Sequence, residues 1–415
     1  MEKNREWKKK QNPETLTGTQ GAGHLPASVA VLGSTGSVGR QALEVASCHG
    51  LRVDLLSGQR SVAVLEEQAR QFLPRYCAVA DETCAADLRV RLADTQVRVL
   101  SGAEGICEGI GLTDAPVVVN AILGEAGLQP TLAVLDAGRR LALANKESLV
   151  IAGREVMRRA KEKGVDVLPV DSEHCAIFQC LQAGRKEEVQ RLWLTASGGP
   201  FFGYDRAGLS QVTRAQTLAH PTWRMGAKIT VDSATLMNKG FELIEAACLF
   251  DVPAEAIEVV VQRQSIIHSM VEYIDNTVIA QLSVPDMRDC VQYALSYPAR
   301  VGGLTPPLDF FTLGHLDFAR PDADTFCLLS LAREAIGIGG GVPATLNAAN
   351  EEAVSAFLED RIRLTELFDV VEDTVRELEP ASREAERLPD ILAAASCARE
   401  MARDRIRRIA EAGPL

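Results

Sequence analysis

Long apolar runs are missing from this sequence. No stretch of its 415 residues approaches the roughly 20 apolar residues that cross a bilayer. The polar segment 1–28 carries Lys8, Lys9 and Lys10 but no apolar core of a secretory signal. We therefore expect a cytoplasmic protein with no membrane partner and a disordered tail at residues 1–28. A transit peptide is the alternative, and the acidic residues of the tail argue against it.

Paired cysteines and excess positive charge are also missing. The ten cysteines form no Cys-x-x-Cys pair, which excludes the usual signatures of a disulfide framework or a zinc site and favours a reducing compartment. A net charge of -12 argues against nucleic acid as a partner, although a local basic pocket remains compatible with it. With 47% hydrophobic and 24% charged residues, the chain can form two or three domains with sizeable cores.

The first regular pattern is an apolar strand that runs directly into a glycine turn. The strand is Val29–Leu32, and a helical pattern follows at Gln41–Ala46. Glycines let the backbone approach a pyrophosphate, and the helix start supplies N–H donors. The predicted cofactor contacts in this turn are Thr35, Gly36, Ser37 and Val38.

The residues after the second predicted strand indicate which dinucleotide binds. This strand, Arg52–Leu56, leads to Gly58, Gln59 and Arg60. Donors and a cation at this position favour the 2′-phosphate of NADP, whereas an acid would favour NAD. The only nearby acid, Asp54, lies inside the strand. A surface role for Arg60 is the alternative.

Further strands alternate with helices, which predicts a doubly wound parallel sheet. The pattern gives a strand at 116–123, a helix at 132–137 and a strand at 140–144. Asn145, Lys146 and Glu147 follow the last of these, where ligand contacts cluster in such sheets. Lys146 could reach a substrate oxygen or could equally face water at a helix start.

The next predicted strand, 165–170, is followed by two carboxylates, Asp171 and Glu173. With a third carboxylate from Glu242 they would form a hard-oxygen site for Mg²⁺ or Mn²⁺, with Co²⁺ as a further option, whereas zinc is disfavoured. The alternative is that Asp171 or Ser172 caps a helix and Glu173 lies in its first turn.

The segment 220–242 is crowded with polar residues that neither helical nor strand periodicity explains. The alternation at 228–231 predicts a strand that ends before Ser233, which then lies at a helix start suited to a phosphate. Asn238 and Glu242 share a helix face, with Lys239 on its flank. The loop at 195–200 brings Ser197 as another donor. The alternative is that Ser233 only caps a helix and Lys239 is solvated.

Several longer motifs occur together and in a fixed order. They are the glycine turn, Ala-Asn-Lys-Glu-Ser at 144–148, Val-Asp-Ser-Glu-His at 170–174, Ser-Gly-Gly-Pro at 197–200, the 220–242 segment, Ser-Ile-Ile-His-Ser-Met-Val at 265–271, Pro-Asp-Met-Arg at 285–288 and Leu-Asn-Ala-Ala-Asn-Glu at 346–351. From about Val29 onward the chain closely resembles the 1-deoxy-D-xylulose 5-phosphate reductoisomerase family. The resemblance implies a metal-dependent rearrangement of this phosphorylated ketose in isoprenoid precursor synthesis. Reduction by NADPH to 2-C-methyl-D-erythritol 4-phosphate would follow.

The resemblance also implies roles for matching positions. Asp171, Glu173 and Glu242 would be metal ligands and, with Lys146, the catalytic residues. Segment 220–230 would be a flap, with Trp223 over the substrate. The implied substrate contacts are Lys146, Ser172, Glu173, Ser197, His220, Trp223, Ser233, Asn238, Lys239 and Glu242. The implied cofactor contacts are Thr35, Gly36, Ser37, Val38, Gly58, Gln59, Arg60, Asn145, Glu147 and Gly226.

The expected architecture has a Rossmann-like NADP-binding domain, a central α+β catalytic domain and a C-terminal helical bundle. The expected boundaries are 29–170, 171–305, a linker at 306–332 and 333–415, and the family implies a homodimer. The helical bundle follows from apolar stripes at 347–357, 364–377 and 391–410. One departure is that Gln59-Arg60 replaces the family's Lys-Asn or Arg-Asn, which shifts the cation by one position.

Two other functions remain open from the sequence. One is an NADP reductase of related fold that acts on another phosphorylated sugar without rearrangement and needs no metal set. The other is a non-catalytic NADP-binding sensor, which would tolerate the loss of Lys146 or Glu242.

Overall fold

The computed structural model describes residues 25–223 and 225–412. All but the last four residues of the predicted N-terminal tail lie outside this part, so its predicted disorder stays a prediction. The elements of the first region are β1 Ser28–Leu32, α1 Ser37–Cys48, β2 Arg52–Gly58, α2 Val62–Phe72, β3 Tyr76–Val79, α3 Glu82–Arg91, β4 Arg98–Ser101, α4 Gly102–Leu112, β5 Val117–Asn120, α5 Leu128–Asp136, β6 Arg140–Leu143, α6 Lys146–Lys163 and β7 Val167–Pro169.

These strands form a seven-stranded parallel sheet in the order β4-β3-β2-β1-β5-β6-β7. Helices cover both faces, so a strand such as β1 is buried along its whole length. The order reverses between β1 and β5, and the crevice outside the carboxyl ends of such strands is where ligands bind. The sheet therefore directs the glycine turn and the loops after β2, β6 and β7 toward one edge.

A second, four-stranded sheet follows, formed by β8 Val189–Ala196, β9 Ile257–Val261, β10 Ile267–Tyr273 and β11 Val278–Leu282 in the order β11-β10-β8-β9. Its β8 and β9 are parallel, whereas β10 is antiparallel to both β8 and β11. The elements of this region are α7 Ser172–Cys180, β8 Val189–Ala196, α8 Arg206–Leu209, α9 Arg214–Thr217, α10 Ala227–Ala234, α11 Met237–Phe250, β9 Ile257–Val261, β10 Ile267–Tyr273, β11 Val278–Leu282, α12 Met287–Ser296 and α13 Phe310–Leu313. Inward residues such as Leu192, Leu194 and Val271 share a core with α11.

The C-terminal part is helical, as its apolar stripes predict. Its elements are α14 Leu328–Ile338, α15 Val342–Leu358, α16 Leu364–Ser382 and α17 Leu388–Ala412. On α16 the buried Leu364, Leu367, Phe368, Val371 and Val375 follow helical spacing. They pack into the same core as α11 and α14. The predicted fold class, a Rossmann-like sheet followed by an α+β region and a helical region, is confirmed.

One local prediction is wrong. Residues 228–231 form no strand, because they lie inside the helix Ala227–Ala234. Four alternating residues are too few to separate the two periodicities, and local helical contacts decide between them. Thr230 Oγ1 donates to the Gly226 carbonyl 2.8 Å away, and Lys228 pairs with Asp232 one turn later.

The helix start predicted at Ser233 is also wrong. Ser233 is the second-to-last residue of α10, and α11 begins only at Met237, after Leu236 in a left-handed conformation. A helix dipole therefore gives no support for anion binding at Ser233. Any phosphate contact there must come from its hydroxyl group and from neighbouring loops.

Candidate active site

Three carboxylates converge at the carboxyl edge of the large sheet. Asp171 follows β7 and occupies the cap position of α7, Glu173 lies in the first turn of that helix, and Glu242 projects from α11. An oxygen atom from each lies within 4.8 Å of the others. The side chains are at most 18% exposed. A set of three nearby carboxylate oxygens fits a hard divalent cation such as Mg²⁺.

Two lysines lie against these carboxylates. Lys146 Nζ is 2.7 Å from Asp171 Oδ2 and 3.2 Å from Glu242 Oε1. Lys239 Nζ is 2.8 Å from Glu173 Oε1 and also contacts Glu242. Asn238 bridges Lys146 and Glu242. Its side-chain oxygen accepts from Lys146 at 2.9 Å, and its amide nitrogen donates to Glu242 at 2.5 Å. The cluster therefore holds buried charge of both signs.

The charges shift the acidities within the cluster. Burial acts to raise the pKa of Asp171, but the charges and hydrogen bonds of Lys146 and His174 together outweigh it and hold the pKa well below its usual range. Burial, together with the negative charge of Glu242, raises the pKa of Glu173 to about 7. Burial acts to lower the pKa of Lys146, yet Asp171 and Glu242 hold it well above its usual value. Lys146 is therefore a cation at neutral pH.

A second layer lies beneath the carboxylates and includes residues that were not predicted to have a role. His174 Nε2 donates to the Glu242 carbonyl at 2.9 Å, and its Nδ1 lies 3.4 Å from Asp171 Oδ1. Glu245 Oε2 is 3.6 Å from the same nitrogen and has no hydrogen-bond partner among the described residues. Burial lowers the pKa of His174, but Glu245 and Asp171 raise it overall to about 9. The imidazolium thus braces two of the three carboxylate-bearing residues.

A third group of polar residues surrounds the small-residue loop after β8. Ser197 Oγ is 3.0 Å from His220 Nε2. Gly199 has a positive φ and lies so close to the Ser233 carbonyl that a Cβ would come within 2.8 Å of it. This close approach brings Ser197 and Ser233 near each other, although they are 36 residues apart in the sequence.

The segment after His220 folds back on its own histidine. The backbone N–H groups of Thr222 and Trp223 both donate to His220 Nδ1, at 3.2 and 2.9 Å. The Trp223 ring lies 6.3 Å from the ring of His268. His268 is buried, and burial lowers its pKa. His268 therefore lies beside the predicted flap, where a neutral imidazole supports the indole.

The glycine turn has the geometry of a dinucleotide cradle. Gly36 precedes α1 without a side-chain cap, which leaves the first N–H groups of the helix available to an anion. A Cβ on Gly33 would come within 2.5 Å of the Ala121 carbonyl oxygen, and one on Gly39 would overlap Gly33. Only glycine permits this close packing of turn and helix, and the residues present fit a dinucleotide.

The edge after β2 carries exposed charge. Arg60 Nε lies 3.0 Å from Asp81 Oδ2, and the arginine side chain is 75% exposed. The buried Asp54 accepts from Thr113 Oγ1 at 2.6 Å and from the Asp114 N–H at 3.0 Å. Because Thr113 and Asp114 precede β5, Asp54 lies toward the opposite edge of the sheet from Arg60. It is therefore not the ribose-binding acid of an NAD site.

Comparisons with known proteins cover nearly the whole described chain. The profile described as 1-deoxy-D-xylulose 5-phosphate reductoisomerase matches residues 29–153, and two profiles for C-terminal domains of that enzyme match 167–250 and 282–401. A relative of that name from Caldanaerobacter subterraneus is 52% identical over 349 residues, which is 83% of this chain and 91% of the relative. Another from Symbiobacterium thermophilum is 48% identical over 92% of this chain and 99% of its own length. The chain belongs to the 1-deoxy-D-xylulose 5-phosphate reductoisomerase family.

Solved structures agree with this assignment. A DOX-P reductoisomerase in complex with NADPH, fosmidomycin and magnesium aligns with a TM-score of 0.88 at 40% identity, over 92% of this chain and 98% of that one. The reductoisomerase from Zymomonas mobilis in complex with NADPH aligns with a TM-score of 0.85 at 41% identity, over 92% and 99%. The predictions of the family, of an NADP-dependent reductoisomerase, and of NADPH with a divalent metal as cofactors are thereby confirmed.

Within this reductoisomerase fold, the remaining predicted cofactor residues lie together. The Asn145 amide group donates to Glu147 Oε2 at 3.1 Å, while its oxygen caps α6 through the Ser148 N–H. Glu147 is also ion-paired with Lys228, which follows Gly226 by two residues. Sequence reasoning gave no role to Lys228 or to its partner Asp232. The signal was present as a Lys and an Asp four residues apart, but the strand assignment at 228–231 concealed it.

Proposed function

We propose that this chain rearranges 1-deoxy-D-xylulose 5-phosphate and reduces the product with NADPH to 2-C-methyl-D-erythritol 4-phosphate. The observation that carries the proposal is the carboxylate set of Asp171, Glu173 and Glu242 at the carboxyl edge of an NADP-type sheet, with Lys146 2.7 Å from one member. A reductase that performs no rearrangement would have no use for a buried metal set beside its cofactor.

The three carboxylates would hold Mg²⁺ or Mn²⁺, with Co²⁺ as a further candidate. When bound, such an ion supplies Lewis-acid chemistry at the ketose carbonyl and a neighbouring hydroxyl. Lys146 would then turn from Asp171 toward a substrate oxygen, which its permanent charge suits. Ser172 Oγ donates to Glu173 Oε2 at 2.5 Å, so it lies on the metal side of the site and would contact a substrate hydroxyl.

The phosphate end of the substrate would bind Ser197, His220, Ser233, Asn238 and Lys239. Ser197 and His220 already share a hydrogen bond, and the Gly199 backbone packs against Ser233. Lys239 adds the cation that a phosphate requires. Binding energy from this end orients the carbons that react at the other.

Segment 220–230 would act as the flap, with Trp223 over the substrate. The histidine anchor on Ser197 lets phosphate binding influence the segment that carries the indole. A closed flap would retain the aldehyde intermediate and exclude water until reduction is complete. Arg224, within the flap, lies outside the described residues.

NADPH supplies the hydride and would bind along the carboxyl edge of the large sheet. The proposed contacts are Thr35, Gly36, Ser37 and Val38 in the turn, Gly58, Gln59 and Arg60 after β2, and Asn145, Glu147 and Gly226 near the nicotinamide. Arg60 would exchange Asp81 for the 2′-phosphate, which its exposure allows.

Domain boundaries, assembly and location complete the proposal. The NADP-binding domain would span 29–170, the catalytic domain 171–305, a linker 306–332 and the helical domain 333–415. A homodimer through the central domain is supported by the edge strand β11, with Ile274 and Val278 more than 45% exposed.

All ten cysteines are free, which favours the reducing cytoplasm. Separately, among the described residues no helix is both long and apolar enough to cross a membrane.

An assay of NADPH oxidation tests the function. Purified protein with 1-deoxy-D-xylulose 5-phosphate and Mg²⁺ should oxidise NADPH, and a chelator should stop the reaction until Mg²⁺ is restored. Product analysis should give 2-C-methyl-D-erythritol 4-phosphate. Absence of metal-dependent turnover would overturn the proposal, and turnover of a different phosphorylated sugar without metal would identify the reductase that performs no rearrangement.

A further inference from the structure

Lys228 occupies a junction between the flap and the cofactor edge. It is the second residue of α10, the helix that begins directly after Gly226. Its Nζ lies 2.9 Å from Asp232 Oδ2 on the same helix and 3.1 Å from Glu147 Oε1 in the first turn of α6. One ammonium group thus joins the base of the flap to a residue proposed to contact NADPH.

The two carboxylates are themselves fixed by buried amides. Asp232 Oδ1 accepts from Asn350 Nδ2 on α15 at 2.7 Å, and Asn350 is fully buried. Glu147 Oε2 accepts from Asn145 Nδ2 at 3.1 Å. The Asn145 amide group also donates to the Ile122 and Gly124 carbonyls, at 2.7 and 2.9 Å. Lys228 is therefore the link between two held carboxylates, one on the flap side and one on the cofactor side.

The environment favours a fixed contact over a loose surface pair. The side chains of Glu147 and Asp232 are 8% and 2% exposed, and that of Lys228 is 25% exposed. Burial acts to raise the pKa of Glu147, but the charge and hydrogen bond of Lys228, together with a backbone N–H and the charge of Lys146, lower the pKa below its usual range. A buried carboxylate that loses its cation is left uncompensated. Any movement of α10 that withdrew Lys228 would therefore leave Glu147 without its paired cation.

We propose that Lys228 is a positioning residue that couples flap closure over the substrate to the seating of NADPH at Glu147. This inference rests on the proposed function of the site. Lys228 touches neither substrate nor reacting atoms, and acts through Glu147 on one side and α10 on the other. Because coupling between two sites is reciprocal, NADPH should favour the closed flap and a closed flap should strengthen NADPH binding.

The experiment measures this coupling by binding alone. The dissociation constant of NADPH is measured by nicotinamide fluorescence, with and without saturating fosmidomycin and Mg²⁺, the ligands named for a solved structure of the family. In the unsubstituted enzyme fosmidomycin should tighten NADPH binding. Lys228→Met should reduce this increase in NADPH affinity by about tenfold, which is within the usual range of coupling between sites. Lys228→Arg should retain most of the increase.

Lys186→Met serves as the matched control, because Lys186 also pairs with an acid, Asp251, but is 54% exposed and lies away from both sites. This variant should keep the full coupling. Glu147→Gln provides a second route if Lys228→Met folds poorly. It leaves the Lys228–Asp232 pair intact and should lose the same coupling, so the double variant should lose no more than either single variant.

The outcomes separate this inference from the proposed function. If the unsubstituted enzyme neither turns over the ketose nor binds fosmidomycin, the function itself fails. If it does both, and a folded Lys228→Met keeps the full coupling, only the role of Lys228 is overturned. The same conclusion follows if Lys228→Met and Glu147→Gln weaken NADPH binding equally with and without fosmidomycin, since that pattern indicates support of the fold rather than communication.

Discussion

The proposed metal-binding region and the proposed cofactor edge differ in how deeply their charged side chains are buried. Asp171, Glu242 and Lys146 are nearly buried, whereas the Arg60 side chain is 75% exposed. The first region joins charged side chains from three separate elements. The second relies mainly on backbone at a glycine turn and on a few exposed donors close together in sequence.

This difference determines how each region should tolerate change. A buried charge network loses much when one member is removed, because the remaining partners stay uncompensated in a medium of low polarity. An exposed ion pair contributes little and is screened by salt. The cofactor edge can therefore accept the shifted cation at Gln59-Arg60, while no comparable shift is expected among the carboxylates.

Glu242→Gln should lower kcat by about a thousandfold, because it removes a proposed metal ligand and with it several kcal/mol of charge stabilisation. The dissociation constant of NADPH should stay within about twofold of its original value, since the cofactor edge is separate. Steady-state kinetics and a fluorescence titration measure the two quantities. Glu255→Gln, at an exposed site after α11, is the control. Parallel loss of NADPH binding would show that the regions are not separate.

Mg²⁺ affinity should weaken by about a hundredfold between about pH 8 and about pH 5. The pKa of Glu173 is raised to about 7, so its carboxylate is ionised at the upper limit and protonated at the lower. Protons then compete with the metal at roughly tenfold per unit below the pKa. Calorimetric titration at several pH values measures the effect. A flat profile over this range would contradict it, and NADPH binding is the internal control.

Gly39→Ala should raise the dissociation constant of NADPH by roughly tenfold or more. The added Cβ would overlap Gly33, so the turn and α1 must separate and their N–H groups no longer converge on the pyrophosphate. Gly111→Ala in α4 is a matched control, because nothing lies within 4 Å of its Cβ position. Equal affinities for the two variants would show that the turn tolerates the change.

Arg60→Gln should raise the KM for NADPH about fivefold and leave the KM for NADH unchanged. In the proposed complex the exposed arginine would contribute one screened interaction with the 2′-phosphate. The difference should shrink as salt increases. Arg98→Gln, in an exposed pair with Glu108, is the control. A hundredfold effect would mean that this edge is as sensitive as the buried cluster.

Patterns with many repeated signals were predictable from sequence. The strand, glycine turn and helix at 29–48 and the apolar stripe of α16 each depend on several residues that agree. The strand predicted at 228–231 rested on only four residues and was wrong. The Lys228–Asp232 ion pair and the hydrogen bond from the Thr230 hydroxyl to the Gly226 carbonyl favour a helix there. Asp171 occupies the cap position of α7 and Glu173 lies in its first turn, so their proximity depends on the local start of a helix.

The layer beneath the carboxylates could not be predicted from the sequence for a different reason. His174 and Glu245 are polar residues on two helices that are largely buried, and neither has a sequence spacing that relates it to the other. Only packing of α7 against α11 brings Nδ1 of the histidine to 3.6 Å from the glutamate. The contact between Lys228 and Glu147 could not be predicted either, because the two residues are 81 positions apart.

The large sheet follows from the amino-acid sequence alone, because strand and turn signals are local. The chemical groups of the site and their order also follow from it, because the motifs of the family are long. Tertiary structure decided which charges meet. Lys146 and Glu242 are 96 residues apart, and their contact of 3.2 Å exists because neither charge can be buried without an opposite partner. That requirement acts between elements rather than along the chain.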